Sequence, residues 1–104
     1  MQQLISKLGT YKGMPRARVW IEGERLRNAG FHAKQTRYTR TIGHDGNIPT
    51  IQLIANDAGS YRVSGKGDNP VIDITGKAVA KHFAGFENVA VLFDPGWITI
   101  RADV

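Results

Sequence analysis

Apolar and polar positions alternate along this chain first at the spacing of a strand and then at that of a helix, and they do so twice in the same order. Ala17, Val19 and Ile21 alternate with Arg18 and Trp20, Gly23 ends the run, and Leu26 and Ala29 fall three apart on one stripe. Gly30-Phe31 closes this first passage. Ile72 and Ile74 then alternate, Gly76 follows, and Val79, Ala80 and Phe83 make a helical stripe closed by Gly85-Phe86. Passages this short cannot each bury a core, so two copies predict two halves of one folded body.

The pattern predicts strand 17–21, helix 24–29, and a hairpin of strands 34–42 and 49–55. With Asp45-Gly46 as a two-residue loop, Ile42 lies opposite Pro49, Arg40 opposite Ile51 and Tyr38 opposite Leu53. The other face then carries Arg37, Thr39 and Thr41 with Thr50, Gln52 and Ile54 and is wet and cationic. The second copy predicts strand 60–64, a loop over 65–70, strand 71–74 and helix 77–83. Strands 88–94 and 97–102 follow, turned by Pro95-Gly96, with Phe93 facing Ile98, Val91 facing Ile100 and Val89 facing Ala102. Residues 1–7 read as an arm or first edge strand and 11–15 as a loop. The whole is a single domain, 1–104, with one copy over about 8–55 and the other over about 60–104.

Composition narrows this. The 104 residues include no cysteine, which excludes a disulfide framework, cysteine-ligated zinc and thiol catalysis. No apolar run is long enough to span a bilayer, and the first residues lack the apolar core of a secretory signal, so a cytoplasmic protein is the expectation. Charge is lopsided. Residues 1–52 hold nine Lys/Arg and three Asp/Glu, whereas residues 53–104 hold five and six, so the net +5 belongs to the first half. Such a one-sided field fits a polyanionic partner.

Residues 19–31, Val-Trp-Ile-Glu-Gly-Glu-Arg-Leu-Arg-Asn-Ala-Gly-Phe, resemble the SymE-type toxins, whose signature is a strand, a glycine, a helix bearing Trp-Leu, and Ala-Gly-Phe. Gly23, Leu26, Ala29, Gly30 and Phe31 match, while Arg25 stands where that family carries tryptophan. The resemblance extends to the AbrB/SpoVT swapped-hairpin family, in which two β-α-β units interlock into a small barrel that commonly binds DNA. It implies a mostly β, α+β swapped-hairpin barrel built from two β-α-β repeats in one chain, a pseudo-dimer that needs no second subunit, as a monomer or a homodimer.

The candidate contact residues are Arg16, Arg18, Trp20, Arg25, Arg27, Lys34, Arg37 and Arg40. Guanidinium groups take phosphate bidentately and supply salt-sensitive affinity. Trp20 shares the outward parity of Arg18 and is placed to stack on a base, whereas Tyr38 falls on the inner face as core. His32, His44 and His82 lack the spacing of metal ligands, and the aspartates sit mostly at turns. Lys66 and Lys77 fail the phosphate-loop pattern, so no catalytic residue, metal or cofactor is expected. The expected function is non-catalytic nucleic-acid binding, DNA ahead of RNA, with no membrane partner. An inhibitor of a host protein or nucleoprotein complex, of the kind a phage or mobile element carries, stands second. A SymE-like ribonuclease toxin stands third, since no acid–base pair supports cleavage.

Overall fold

Strands with one apolar face must cover it, and here they cover each other in two antiparallel sheets. The computed structural model describes the backbone of residues 2–11 and 14–103 and the side chains at 4, 5, 8 and 18–103. In chain order the elements are β1 (Gln2–Lys7), β2 (Gly9–Tyr11), β3 (Met14–Glu22), α1 (Glu24–Asn28), β4 (Arg37–Asp45) and β5 (Ile48–Ala55). They continue with β6 (Tyr61–Arg62), β7 (Ser64–Lys66), β8 (Asn69–Thr75), α2 (Lys77–His82), β9 (Asn88–Asp94) and β10 (Trp97–Ala102). The larger sheet has the order β1-β9-β10-β5-β4-β6 and the smaller β2-β3-β8-β7.

The core lies between the sheets. Val19, Ile21, Ile72 and Ile74 come from the smaller sheet; Ile51, Leu53, Val89, Val91, Ile98 and Ile100 come from the larger. Leu26, Phe31, Val79 and Phe83 join them from the helices and the turns that follow. Helices of five and six residues are too short to persist alone, so the buried Leu26 and Val79 hold them. Gly23 and Gly76 begin the helices and Gly30 and Gly85 follow them, all at positive φ. Only glycine adopts that backbone freely, which is why the glycine spacing recurs.

Both sheet orders read the same from either end when β1 is exchanged with β6, β2 with β7, β3 with β8, β4 with β9 and β5 with β10. The registers of the central strands obey the same exchange. Val19 pairs with Ile74 and Ile21 with Ile72. Thr50 pairs with Arg101 and Gln52 with Thr99, on either side of the Ile51–Ile100 pair. One local twofold relation accounts for all of these pairings. β1 lies outside it: β1 runs opposite Asn88–Phe93, the stretch that matches residues 39–44 of β4, whereas β6 lies opposite Arg37 and Tyr38. The copies are intertwined: β1 lies on β9, and β6 lies on β4.

Four expectations change. No closed barrel is present among the described residues, because the chain leaves the larger sheet for the smaller one at Leu8 and again at Val63, and both sheets keep open edges. The N–H of Leu8 donates to the Glu87 carbonyl and that of Val63 to the Thr36 carbonyl, each at 2.9 Å, pinning the two crossings. Residues 65–70 are not a loop; β7 and β8 form a hairpin in which Lys66 pairs with Asn69. Residues 34–36 are not strand, since Lys34 takes φ +63 and its N–H donates to Val63. In the first hairpin the loop is Gly46-Asn47, so Arg40 lies opposite Leu53, Ile42 opposite Ile51 and Tyr38 opposite Ala55. Gly46, at φ +61, is the first loop residue, the place where a two-residue turn with one left-handed residue wants glycine. The slip is of two positions, so each side chain keeps its expected face. The second hairpin pairs as expected. Of the expected 11–15 loop, Tyr11 ends β2, Met14 and Pro15 begin β3, and Lys12 and Gly13 lie outside the described residues.

Candidate nucleic-acid interface

The expected basic set divides between opposite outward faces. Arg18 and Trp20 project from β3, away from the core-facing Val19 and Ile21. Arg18 meets Asp73 of β8 through a two-point fork, Nε to Oδ1 at 2.9 Å and Nη2 to Oδ2 at 3.0 Å. Its guanidinium also lies 4.7 Å from the centroid of the Trp20 ring. The fork occupies the donors that would hold a phosphate, and the same guanidinium lies over the exposed indole. Arg18 and Trp20, expected as separate phosphate and base contacts, are thus engaged with Asp73 and with each other. The Arg16 side chain lies outside the described residues.

Arg25 is exposed on α1, and Arg27 on the same helix donates to the Asp68 carbonyl at 3.3 Å. Arg37 and Arg40 lie on β4 at the β4–β6 edge of the larger sheet, with the exposed Lys34 just before that strand. Arg37 projects outward and donates to the Gly59 carbonyl at 3.1 Å. Directly opposite it on β6 stands Arg62, also exposed, a residue the sequence reading missed. Its signal was present in Tyr61-Arg62, but nothing local placed those two residues beside Arg37. Arg40 points to the other side of the same edge, 4.5 Å from the centroid of Tyr61. Tyr61 stacks on Tyr38, with centroids 5.6 Å apart. As expected Tyr38 is core; burial pushes its phenol pKa above the ordinary 10.0, partly offset by the Arg40 charge and reinforced by Tyr61.

Like charges set opposite each other across a strand pair destabilise it, and Arg37 and Arg62 are so placed. Among the described residues the sole ion pair is Arg18–Asp73, so neither Arg37 nor Arg62 has a carboxylate within 4.0 Å. Beside Arg37 lies a cleft of about 390 Å³ lined by Gln35, Thr36 and Asn56, neutral groups able to hydrogen-bond a phosphodiester, with Asp57 also present. On the same outward face, Trp97 pairs with Ile54, which pairs with Thr39. Trp97 is 47% exposed and Ile54 37%. At strand spacings, about 10 Å across two strands and about 7 Å along them separate Trp97 from Arg37. A second cleft, of about 340 Å³, runs over the middle of this face, where Asp45 and Asp94 stand with Arg101 and the charge is mixed.

No group of His, Asp or Glu among the described residues could hold a metal ion, and no helix there is long and apolar enough to cross a membrane. Comparison with known families, with curated proteins and with solved structures returned no match in any of the three.

Proposed function

We propose that this protein is a small, non-catalytic nucleic-acid-binding module whose contact surface is the outward β4–β6 end of the larger sheet. Arg37 and Arg62 supply the phosphate contacts, the cleft beside Arg37 seats one phosphodiester, and Trp97 offers a face to a base. The observation that carries this reading is the Arg37–Arg62 pair: two exposed arginines held opposite each other, with no carboxylate within 4.0 Å of either among the described residues. Such a pair costs stability in the free protein and gains a partner when a polyanion arrives.

We also propose the finer fold, a single-chain swapped-hairpin pseudo-dimer of the AbrB/SymE kind. Its support is the palindromic strand order together with the exchange of edge strands between the copies. Titration of the labelled protein with double-stranded DNA, single-stranded DNA and RNA tests the function. Saturable binding to at least one of them is expected, and an exposed Trp97 favours the single strands. Failure of all three to bind at low salt overturns the proposal.

A further inference from the structure

Ile42 and Val91 occupy matching places in the two copies. Each is opposite one member of the Ile51–Ile100 pair that the twofold relation leaves in place. Val91 is 0% exposed, whereas Ile42 is 44% exposed. The difference lies on the outer edge of each strand. β1 runs along β9 from Gln2 opposite Phe93 to Lys7 opposite Asn88, and Leu4, opposite Val91, packs against the core. Its counterpart β6 reaches only Arg37 and Tyr38 of β4. Residues 39–45 of β4 therefore have no outer neighbour among the described residues, over the stretch that corresponds to the one β1 covers.

Chain connectivity explains the gap. β5 ends at Ala55, opposite Tyr38, and only residues 56–60 precede Tyr61. A strand covering β4 as β1 covers β9 would have to start near His44 and return, needing about a dozen residues at strand spacing. Backbone direction is also fixed. The Arg37 carbonyl accepts from the Asn56 N–H on the β5 side, and the Thr36 carbonyl accepts from Val63 on the other. By the alternation of an antiparallel ladder, the N–H and C=O groups of Arg40, Ile42 and His44 then point to the open edge.

We infer that this edge is a docking slot for an extended strand of another protein, added antiparallel, with an aliphatic residue opposite Ile42 and a carboxylate opposite Arg40. The pairing of β1 with β9 gives the orientation and the apolar position. Charge complementarity gives the acid, since Arg40 has no carboxylate within 4.0 Å among the described residues and the chain carries +5 overall. The same charge disfavours a second copy as the occupant. The slot uses the edge and not the outward face, so it stands apart from the nucleic-acid reading.

The probe is an end-capped seven-residue peptide alternating valine and threonine, with glutamates near its ends; a lysine-for-glutamate version is the control. Amide exchange followed by NMR should slow by about tenfold or more at Arg40, Ile42 and His44 on adding the acidic peptide, with Thr39 and Thr41 unaffected. Ile42→Pro removes an outward N–H that the β4–β5 ladder does not use and should weaken the peptide about tenfold. Arg40→Glu, which needs no backbone change, should reverse the preference toward the lysine peptide. Arg37→Ala and Arg62→Ala should retain acidic-peptide binding. No slowing at the three amides, equal binding of both peptides, or a wild-type dimer in which those amides are already protected would each overturn the inference.

Discussion

Trp20 and Asp73 face each other across β3 and β8 and hold the same place in the two copies. Their inward neighbours are alike, Val19 with Ile72 and Ile21 with Ile74, all four buried. Outward the copies have diverged, and Asp73 takes the Arg18 guanidinium. Arg18 is thereby locally neutralised on the smaller sheet, while at the β4–β6 end of the larger sheet no arginine has a carboxylate within 4.0 Å among the described residues. The shared scaffold is conservative in its core and asymmetric on its surface.

That asymmetry makes Arg18 a structural residue. Arg18→Ala should lower unfolding stability by about 0.2–1 kcal/mol, the usual worth of a solvent-exposed ion pair. Urea midpoints measure this loss. Nucleic-acid affinity should be the same as wild type at every salt concentration.

The two tryptophans separate the two faces. Trp97→Ala should weaken single-stranded DNA or RNA binding by about 1–3 kcal/mol, the worth of a stacked base. Trp20→Ala should leave that affinity unchanged. Parallel anisotropy titrations of the two variants decide between the faces.

The repeated Gly-Phe motif carries unequal loads. Phe31 is fully buried, whereas Phe86 is half-buried at the margin of the same core. Phe31→Ala should cost about 3–5 kcal/mol in a denaturant melt, and Phe86→Ala clearly less.

Tyr38 supplies a pH dependence. Its phenol pKa is raised in the folded state, chiefly by burial, so the unfolded chain ionises first as pH rises. Above about pH 10 the unfolded state binds fewer protons than the folded one, and stability falls with pH until the folded phenol also ionises. Below that range Tyr38 contributes no slope. Tyr38→Phe should remove this alkaline loss, seen as a flatter dependence of the urea midpoint between neutral and alkaline pH.

Much of the architecture was legible in local pattern. Period-two runs placed β9, β10, β5 and the core face of β3, and Pro95-Gly96 fixed the second hairpin's register. The first hairpin slipped because Asp-Gly and Gly-Asn both suit a two-residue loop, and only the ladder beyond decides between them. The expected strand 60–64 divides at Val63, which nothing local marks as the crossing between sheets, and most of β7 falls in the expected 65–70 loop. The site was legible only in part. Net charge located the cations in the first half, but the Arg18–Asp73 fork and the Arg37–Arg62 pair join residues far apart in the chain.

The salt dependence of nucleic-acid binding is the most direct measurement. If Arg37 and Arg62 each neutralise one phosphate, plots of log affinity against log salt should lose about one unit of slope in either alanine variant and about two in the double variant. Slopes unchanged from wild type in the double variant, with binding otherwise intact, would contradict the assignment of this face.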